Sequence, residues 1–122
     1  MIALSPSYRY HEHELHIAEW AKEIGFEQIS VSHQVSALMK LIGRGDTTVV
    51  DAYLSHVLRR YVNRVASELD QVRLMFMQSN GGLTAAEHFQ GKDAILSGPA
   101  GGIVGMARIA AAVGSDQLIG FD

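Results

Sequence analysis

Six histidines, 13 acidic side chains and no cysteine define the chemistry open to this chain. Without cysteine there is no disulfide framework, thiolate metal site or thiol nucleophile, which fits a reducing compartment. Three of the histidines fall in His11-Glu12-His13-Glu14-Leu15-His16. A zinc-protease helix needs His-Glu-x-x-His, with ligands one turn apart. Leu15 stands where the second ligand of that motif belongs, and His13 and His16 are spaced i, i+3. The segment therefore reads as the exposed polar start of a helix. Ser97 lies in Ile95-Leu96-Ser97-Gly98-Pro99, where Ile95 replaces the first glycine of a nucleophile elbow, so a helix-capping role is the better reading.

The glycine-rich run at 98–105 matches neither the dinucleotide fingerprint nor a Walker loop, because no Gly-Lys-Ser/Thr follows and the spacing is wrong. Gly98, Gly101 and Gly105 recur at i, i+3, i+7 and make a thin helix face. Close packing is the first reading of that face, and anion contact at the helix N-terminus is the other. Ser79-Asn80-Gly81-Gly82 follows an apolar run directly. It is either a structural turn or a ligand-facing loop at the carboxyl end of a strand. Asp122 has the same strand-end position. Arg59, Arg60 and Arg64 read as a solvated helix face.

These residues need elements to hold them. Residues 11–24 carry Leu15, Ile17, Ala18, Trp20, Ala21 and Ile24 at helical period, with Gly25 and Phe26 placed for a Schellman stop. Residues 28–32 alternate like a short strand, and Gly43-Arg44-Gly45 reads as a loop. The spacing of Val50, Leu54, Val57, Leu58, Tyr61, Val65 and Leu69 predicts an amphipathic helix over about 47–69, capped by Asp46 or Thr47, with Thr48 and Asp51 at capping-box spacing. Residues 72–77 form an apolar run suited to a strand covered on both faces. Thr84 is placed to cap a short helix at 85–89, and 94–96 reads as a strand. Pro99 opens a helix ending at Val113 before Gly114, and 118–121 is strand-like. The class is α/β, with short strands alternating with helices.

Composition agrees: 122 residues, 48% apolar and 19% charged, make one globular domain or a piece of one. A net charge of −3 argues against a nucleic-acid binder. No signal peptide or membrane-length apolar run is present, so a cytoplasmic protein without membrane contact is expected. The chain stops at Asp122 inside what reads as a buried strand, and a fragment of a longer protein is therefore expected.

Three stretches strongly resemble the hydantoinase A/5-oxoprolinase family: Phe76-Met77-Gln78-Ser79-Asn80-Gly81-Gly82-Leu83, the run from Leu96 through Ser97-Gly98-Pro99-Ala100-Gly101-Gly102 to Gly105, and Ile119-Gly120-Phe121-Asp122. Weaker likeness appears in Ser5–Tyr10 with His13-Glu14, in Ser32-His33-Gln34-Val35, and in Asp51-Ala52-Tyr53-Leu54 with Arg59-Arg60-Tyr61. The Arg-Gly-Asp-Thr-Thr stretch at 44–48 leans toward the oxoprolinase branch. On this resemblance, residues 1–45 end an N-terminal family region, and 46–122 begin the hydantoinase/oxoprolinase region.

The resemblance implies a ribonuclease-H-like fold, shared with actin, sugar kinases and heat-shock ATPases. It implies an enzyme that uses ATP and Mg²⁺ to open a small cyclic amide such as 5-oxoproline or a hydantoin. A lactam carbonyl is a poor electrophile, and phosphorylating its oxygen exposes the carbon to water. Asp122 would begin a phosphate-binding hairpin, orienting hydrated Mg²⁺ or the attacking water. Ser79, Asn80, Gly81, Gly82, Ser97, Gly98, Gly101 and Gly102 are the expected cleft-lining residues. The phosphate loops themselves are absent from these residues, so the chain alone is expected to be inactive. A partner subunit or homo-oligomer is left open, and self-association is expected through the apolar faces of helices 47–69 and 99–113 if the chain is a fragment. The competing readings are a non-catalytic binding or assembly module of the same fold and a ketone carboxylase subunit.

Overall fold

A computed structural model of the chain describes residues 1–69 and 72–121. The described residues divide into two compact units, Met1–Tyr61 with Gln90–Lys92, and 62–89 with 93–121. Helices and one two-stranded sheet make up the architecture, which is consistent with the α/β class.

In the first unit a 3₁₀ turn, Ser5–Tyr8, precedes α1, Glu12–Ile24. The stop of α1 is the one its sequence predicts. Gly25 adopts φ 101°, the Gly25 amide donates to Lys22 O, and the Phe26 amide to Ala21 O. No strand forms at 28–32. Val31 instead makes a single parallel bridge with Ile2, and α2, Ser32–Val35, follows at once.

The long helix α3 runs Leu41–Glu68, about a turn and a half earlier than its periodicity predicts. Gly43-Arg44-Gly45 is helix, not loop. Thr47 and Thr48 therefore do not cap it: each hydroxyl donates back one turn, to Gly43 O at 2.9 Å and Arg44 O at 2.6 Å. The face of α3 that is buried is also unexpected. Arg44, Thr48, Asp51, Ser55 and Val62 are enclosed, whereas Val57 and Tyr61 of the predicted apolar face are exposed. Polar partners from other segments, described below, explain this inversion.

Asp51 and Ser55 hold the start of α4, Gly91–Ala94, from a distance in sequence. Gly91 N–H donates to Ser55 Oγ at 3.1 Å, and Lys92 N–H to Asp51 Oδ1 at 3.2 Å. Asp51 also accepts from Ser30 Oγ at 2.7 Å and Ser55 Oγ at 3.1 Å. A Cβ on Gly91 would lie 2.7 Å from the backbone nitrogen of Ser55. Gly91→Ala is therefore expected to lower stability by about 1–3 kcal/mol, because a helix backbone cannot yield as a side chain can. Chemical denaturation checks it, with Gly45→Ala as control. No atom lies near a Cβ on Gly45, and its substitution is expected to stabilise the helix by about 0.5–1 kcal/mol.

In the second unit β1, Met75–Met77, pairs antiparallel with β2, Leu83–Ala85, in the register Phe76 with Thr84. The parallel sheet expected for 72–77 is replaced by a hairpin whose strands are half-buried or exposed. Thr84 lies in β2, and residues 86–88 form a 3₁₀ turn. Phe76 and Phe89 stack at 4.9 Å between ring centroids. Residues 94–96 are not a strand, and α5 spans Ser97–Val113, stopped by Gly114 at φ 68° as its sequence predicts. Residues 118–121 form no strand, and Asp122 lies outside the described residues. Among the described residues no helix is long and apolar enough to cross a membrane.

Candidate functional site

The cleft wall predicted from sequence falls in the second unit. Ser79-Asn80-Gly81-Gly82 is the tip of the β1–β2 hairpin, closed by Gln78 N–H to Gly82 O at 2.8 Å and Gly81 N–H to Gln78 O at 2.9 Å. Gly81 takes φ 82°, which supplies the reversal. Ser79 Oγ donates to Asp93 O at 2.7 Å and accepts from Leu96 N–H at 3.1 Å. Asn80 Oδ1 accepts from Gly82 N–H at 2.8 Å. Ser97 does not cap α5. Its hydroxyl donates to Ala94 O at 2.9 Å, and Leu96 is the capping position.

Helix α5 presents two different faces to its surroundings. Gly101 faces β1, where its Cβ position is 3.6 Å from Met77, and Val104 meets the Gly81 turn. Gly102 is on another side, lining an apolar groove of about 240 Å³ with Pro99, Ile103, Met106, Gly120 and Phe121. The structure thus brings Gly102 together with Gly120 and Phe121, and Ser79–Gly82 and Gly101 do not line that groove. Gly98 and Gly105 have open space where a Cβ would be, so of the i, i+3, i+7 set Gly101 alone meets a neighbour, at ordinary van der Waals distance.

A nucleotide phosphate or hydrated cation needs free donors or carboxylates. The side chains of Ser79, Asn80 and Ser97 are engaged with the chain's own backbone. Among the described residues no group of three His, Asp or Glu side chains is placed to hold a metal ion. The described residues do not by themselves fit ATP or Mg²⁺, and no chemical step is routed through either group here.

A denser polar centre occupies the first unit, and the sequence reading missed it. Glu14, on α1, is fully buried. Its carboxylate accepts four hydrogen bonds: Leu4 N–H at 2.7 Å, Ser32 Oγ at 2.6 Å, His33 N–H at 3.2 Å and His33 Nδ1 at 2.8 Å. Burial raises its pKa, but the bonds from Ser32, His33 and the two amides outweigh burial and hold it at about 2. Arg44, equally buried, spends all five donors of its guanidinium. Nε donates to Ser32 Oγ at 2.9 Å, Nη1 to Leu38 O and Met39 O at 2.8 and 3.0 Å, and Nη2 to Leu4 O and Ser5 O.

Ser32 Oγ therefore links cation to anion through one oxygen. His33 stacks on His11 with centroids 4.4 Å apart, and His11 Nδ1 bonds Ser7 O at 2.6 Å. His11 and Glu14 of the His-rich segment thus serve this centre, with backbone and carboxylate as partners. The carboxylate's four acceptor sites and the guanidinium's five donors are all used, so neither charged group has hydrogen-bonding capacity left for a ligand. It ties residues 4–5, 14, 32–33 and 38–39 to the start of α3. The sequence signal was the pairing of His13-Glu14 and Arg44-Gly45-Asp46-Thr47-Thr48 with family stretches.

Comparison with known proteins agrees with those stretches. A family model described as hydantoinase/oxoprolinase matches residues 44–122. The chain is 45% identical over 111 residues to a 5-oxoprolinase of Dictyostelium discoideum, covering 88% of this chain and 9% of that protein. It is 39% identical over 126 residues to 5-oxoprolinase 1 of Arabidopsis thaliana, covering 99% of this chain and 10% of that one. A 5-oxoprolinase of Saccharomyces cerevisiae is 39% identical over 125 residues, with the same coverages of 99% and 10%. The chain spans about a tenth of the length of these relatives. No solved structure matches it. With the family model covering more than half of its residues, the chain belongs to the hydantoinase/oxoprolinase family.

Proposed function

We propose that this chain is an internal part of an ATP-dependent cyclic-amide hydrolase of the 5-oxoprolinase type, acting in the cytoplasm. The observation that carries this reading is the similarity, along nearly the whole chain, to proteins named 5-oxoprolinase. Those names favour a hydrolase over a non-catalytic module or a ketone carboxylase subunit. In this reading the parent has a ribonuclease-H-like fold and binds ATP and Mg²⁺ on phosphate loops that are not among these residues.

The chain's own contribution is positional. The groove lined by Gly102 and Phe121 lies at the residues that precede Asp122 in sequence, and Asp122 would orient hydrated Mg²⁺ or the attacking water. The Glu14–Ser32–Arg44 centre keeps the first unit in one arrangement. In the parent, ATP held on residues outside this chain would supply the phosphoryl group that makes the amide oxygen part of a leaving group. The test is ring opening of 5-oxoproline by the full-length parent with ATP and Mg²⁺, beside the same assay on these 122 residues. Turnover by the parent alone is expected, and turnover by the isolated chain contradicts the reading.

A further inference from the structure

The chain contains two asparagines, Asn63 and Asn80, and the fold treats their side-chain amides differently. Asn63 lies within α3 and is followed by Arg64. There the next backbone amide is held in the helix ladder, and a following side chain hinders any attack by it. Asn80 is exposed at the tip of the β1–β2 hairpin and is followed by Gly81. Three features converge on it. Gly81 has no Cβ, so its nitrogen meets no side-chain barrier in approaching the Asn80 carboxamide carbon. Gly82 N–H donates to Asn80 Oδ1 at 2.8 Å, which places a donor on the oxygen that gains charge when that carbon is attacked. Among the described residues Asn80 Nδ2 has no hydrogen-bond partner, so nothing holds the leaving nitrogen. One contact opposes the step. Gly81 N–H donates to Gln78 O at 2.9 Å and has to be released first. Exchanging a single hydrogen bond for water at an exposed tip slows the step about tenfold.

We propose that Asn80 is a site of spontaneous covalent modification, at which the Gly81 nitrogen closes on the Asn80 side chain and water completes the hydrolysis. Asparagine is among the thermally labile side chains, and this turn supplies the attacking group. A bond forms from the Gly81 nitrogen to Cγ of Asn80, the Cγ–Nδ2 bond breaks, and the Gly81 amide proton leaves with Nδ2 as ammonia. The resulting cyclic imide takes up one water. Breaking its nitrogen–Cγ bond leaves aspartate at position 80. Breaking the bond from nitrogen to the main-chain carbonyl carbon leaves isoaspartate, whose backbone is one carbon longer. Either product adds a negative charge at the tip. Isoaspartate also lengthens the connection that sets the register of Phe76 with Thr84.

The test ages the full-length parent at mildly alkaline pH, folded and in urea, and maps its peptides by mass spectrometry. Isoaspartate is labelled with a methyltransferase specific for it. Conversion is expected at Asn80 and not at Asn63, in the folded protein about tenfold more slowly than in urea. The rate is expected to rise with pH, because the attacking nitrogen has to give up its proton. Asn80→Ser is expected to abolish the label on this peptide. Two results overturn the proposal. One is a folded rate more than about a hundredfold below the rate in urea, which would mean that the hairpin has to open as a whole or is sealed by the rest of the parent. The other is conversion at Asn63 as fast as at Asn80 in the folded protein. Both read the hairpin tip alone, and neither bears on ring opening by the parent.

Discussion

Glu14→Gln is expected to cost about 2–4 kcal/mol at neutral pH and to remove most of an acid transition that the native chain displays. All four acceptor positions on Glu14 are matched to donors. An amide of the same shape supplies one acceptor oxygen and one NH₂ group, and whichever way it is turned, the NH₂ faces two donors. The buried Arg44 charge also loses the anion it reaches through Ser32.

The pH dependence follows from the direction of the shift. Glu14 is held at about 2, below its ordinary 4.5, so folding favours the carboxylate. Its contribution is complete above pH 4.5 and drains away as pH falls from 4.5 toward 2. That contribution is on the order of 3 kcal/mol, from the linkage between pKa and stability. Urea denaturation at pH 7, 4 and 2.5 checks both parts. The native chain should lose midpoint steeply in acid, and the glutamine variant should start lower and change less. A variant as stable as the native chain at pH 7 would show that the carboxylate does not organise the unit.

Arg44→Lys is the companion case, with an expected loss of about 3–5 kcal/mol. An ammonium keeps the charge but has three donors where five acceptors wait, and its point geometry cannot span Ser32, Leu38, Met39, Leu4 and Ser5 together. The carbonyls left behind are shielded from water. Against a total stability of roughly 5–15 kcal/mol for a domain, a loss of this size brings the unit near unfolding. Amide exchange should report it locally, with loss of protection in α1, α2 and the first turns of α3 before α5.

Both expectations concern a centre that sequence patterning did not reveal, and the reason is physical. Periodicity finds a helix by assuming that its apolar face is inside. For α1 and α5 the local signals suffice: Gly25 with Phe26, and Gly114, set the C-terminal ends through bonds within a few residues, and Pro99 sits in the first turn of α5. In α3 the inside face is chosen by partners 12 to 41 residues away, such as Ser32 for Arg44 and Lys92 for Asp51. Two glycines flanking Arg44 read as a loop because nothing local reveals that helix α3 needs that arginine in its first turns. The missing strands have a related origin. Residues 72–77 are apolar enough for a covered parallel strand, yet the hairpin tip at Gln78–Gly82 pairs them with β2 instead. At the predicted cleft wall, sequence located the turn and the helix start correctly. It could not tell that Ser79, Asn80 and Ser97 would turn to their own backbone, since that depends on where residues 93–96 come to rest.

The central proposal is that Asp122 serves an ATP-driven ring opening in the full-length parent. The measurement that tests it most directly is 5-oxoproline-dependent release of phosphate and glutamate by the full-length parent carrying Asp122→Asn, read beside its melting curve. The account predicts an unchanged melting temperature and turnover reduced by about a hundredfold or more, as when a group orienting water or a cation loses its charge. Turnover within a few-fold of the unsubstituted parent would contradict it.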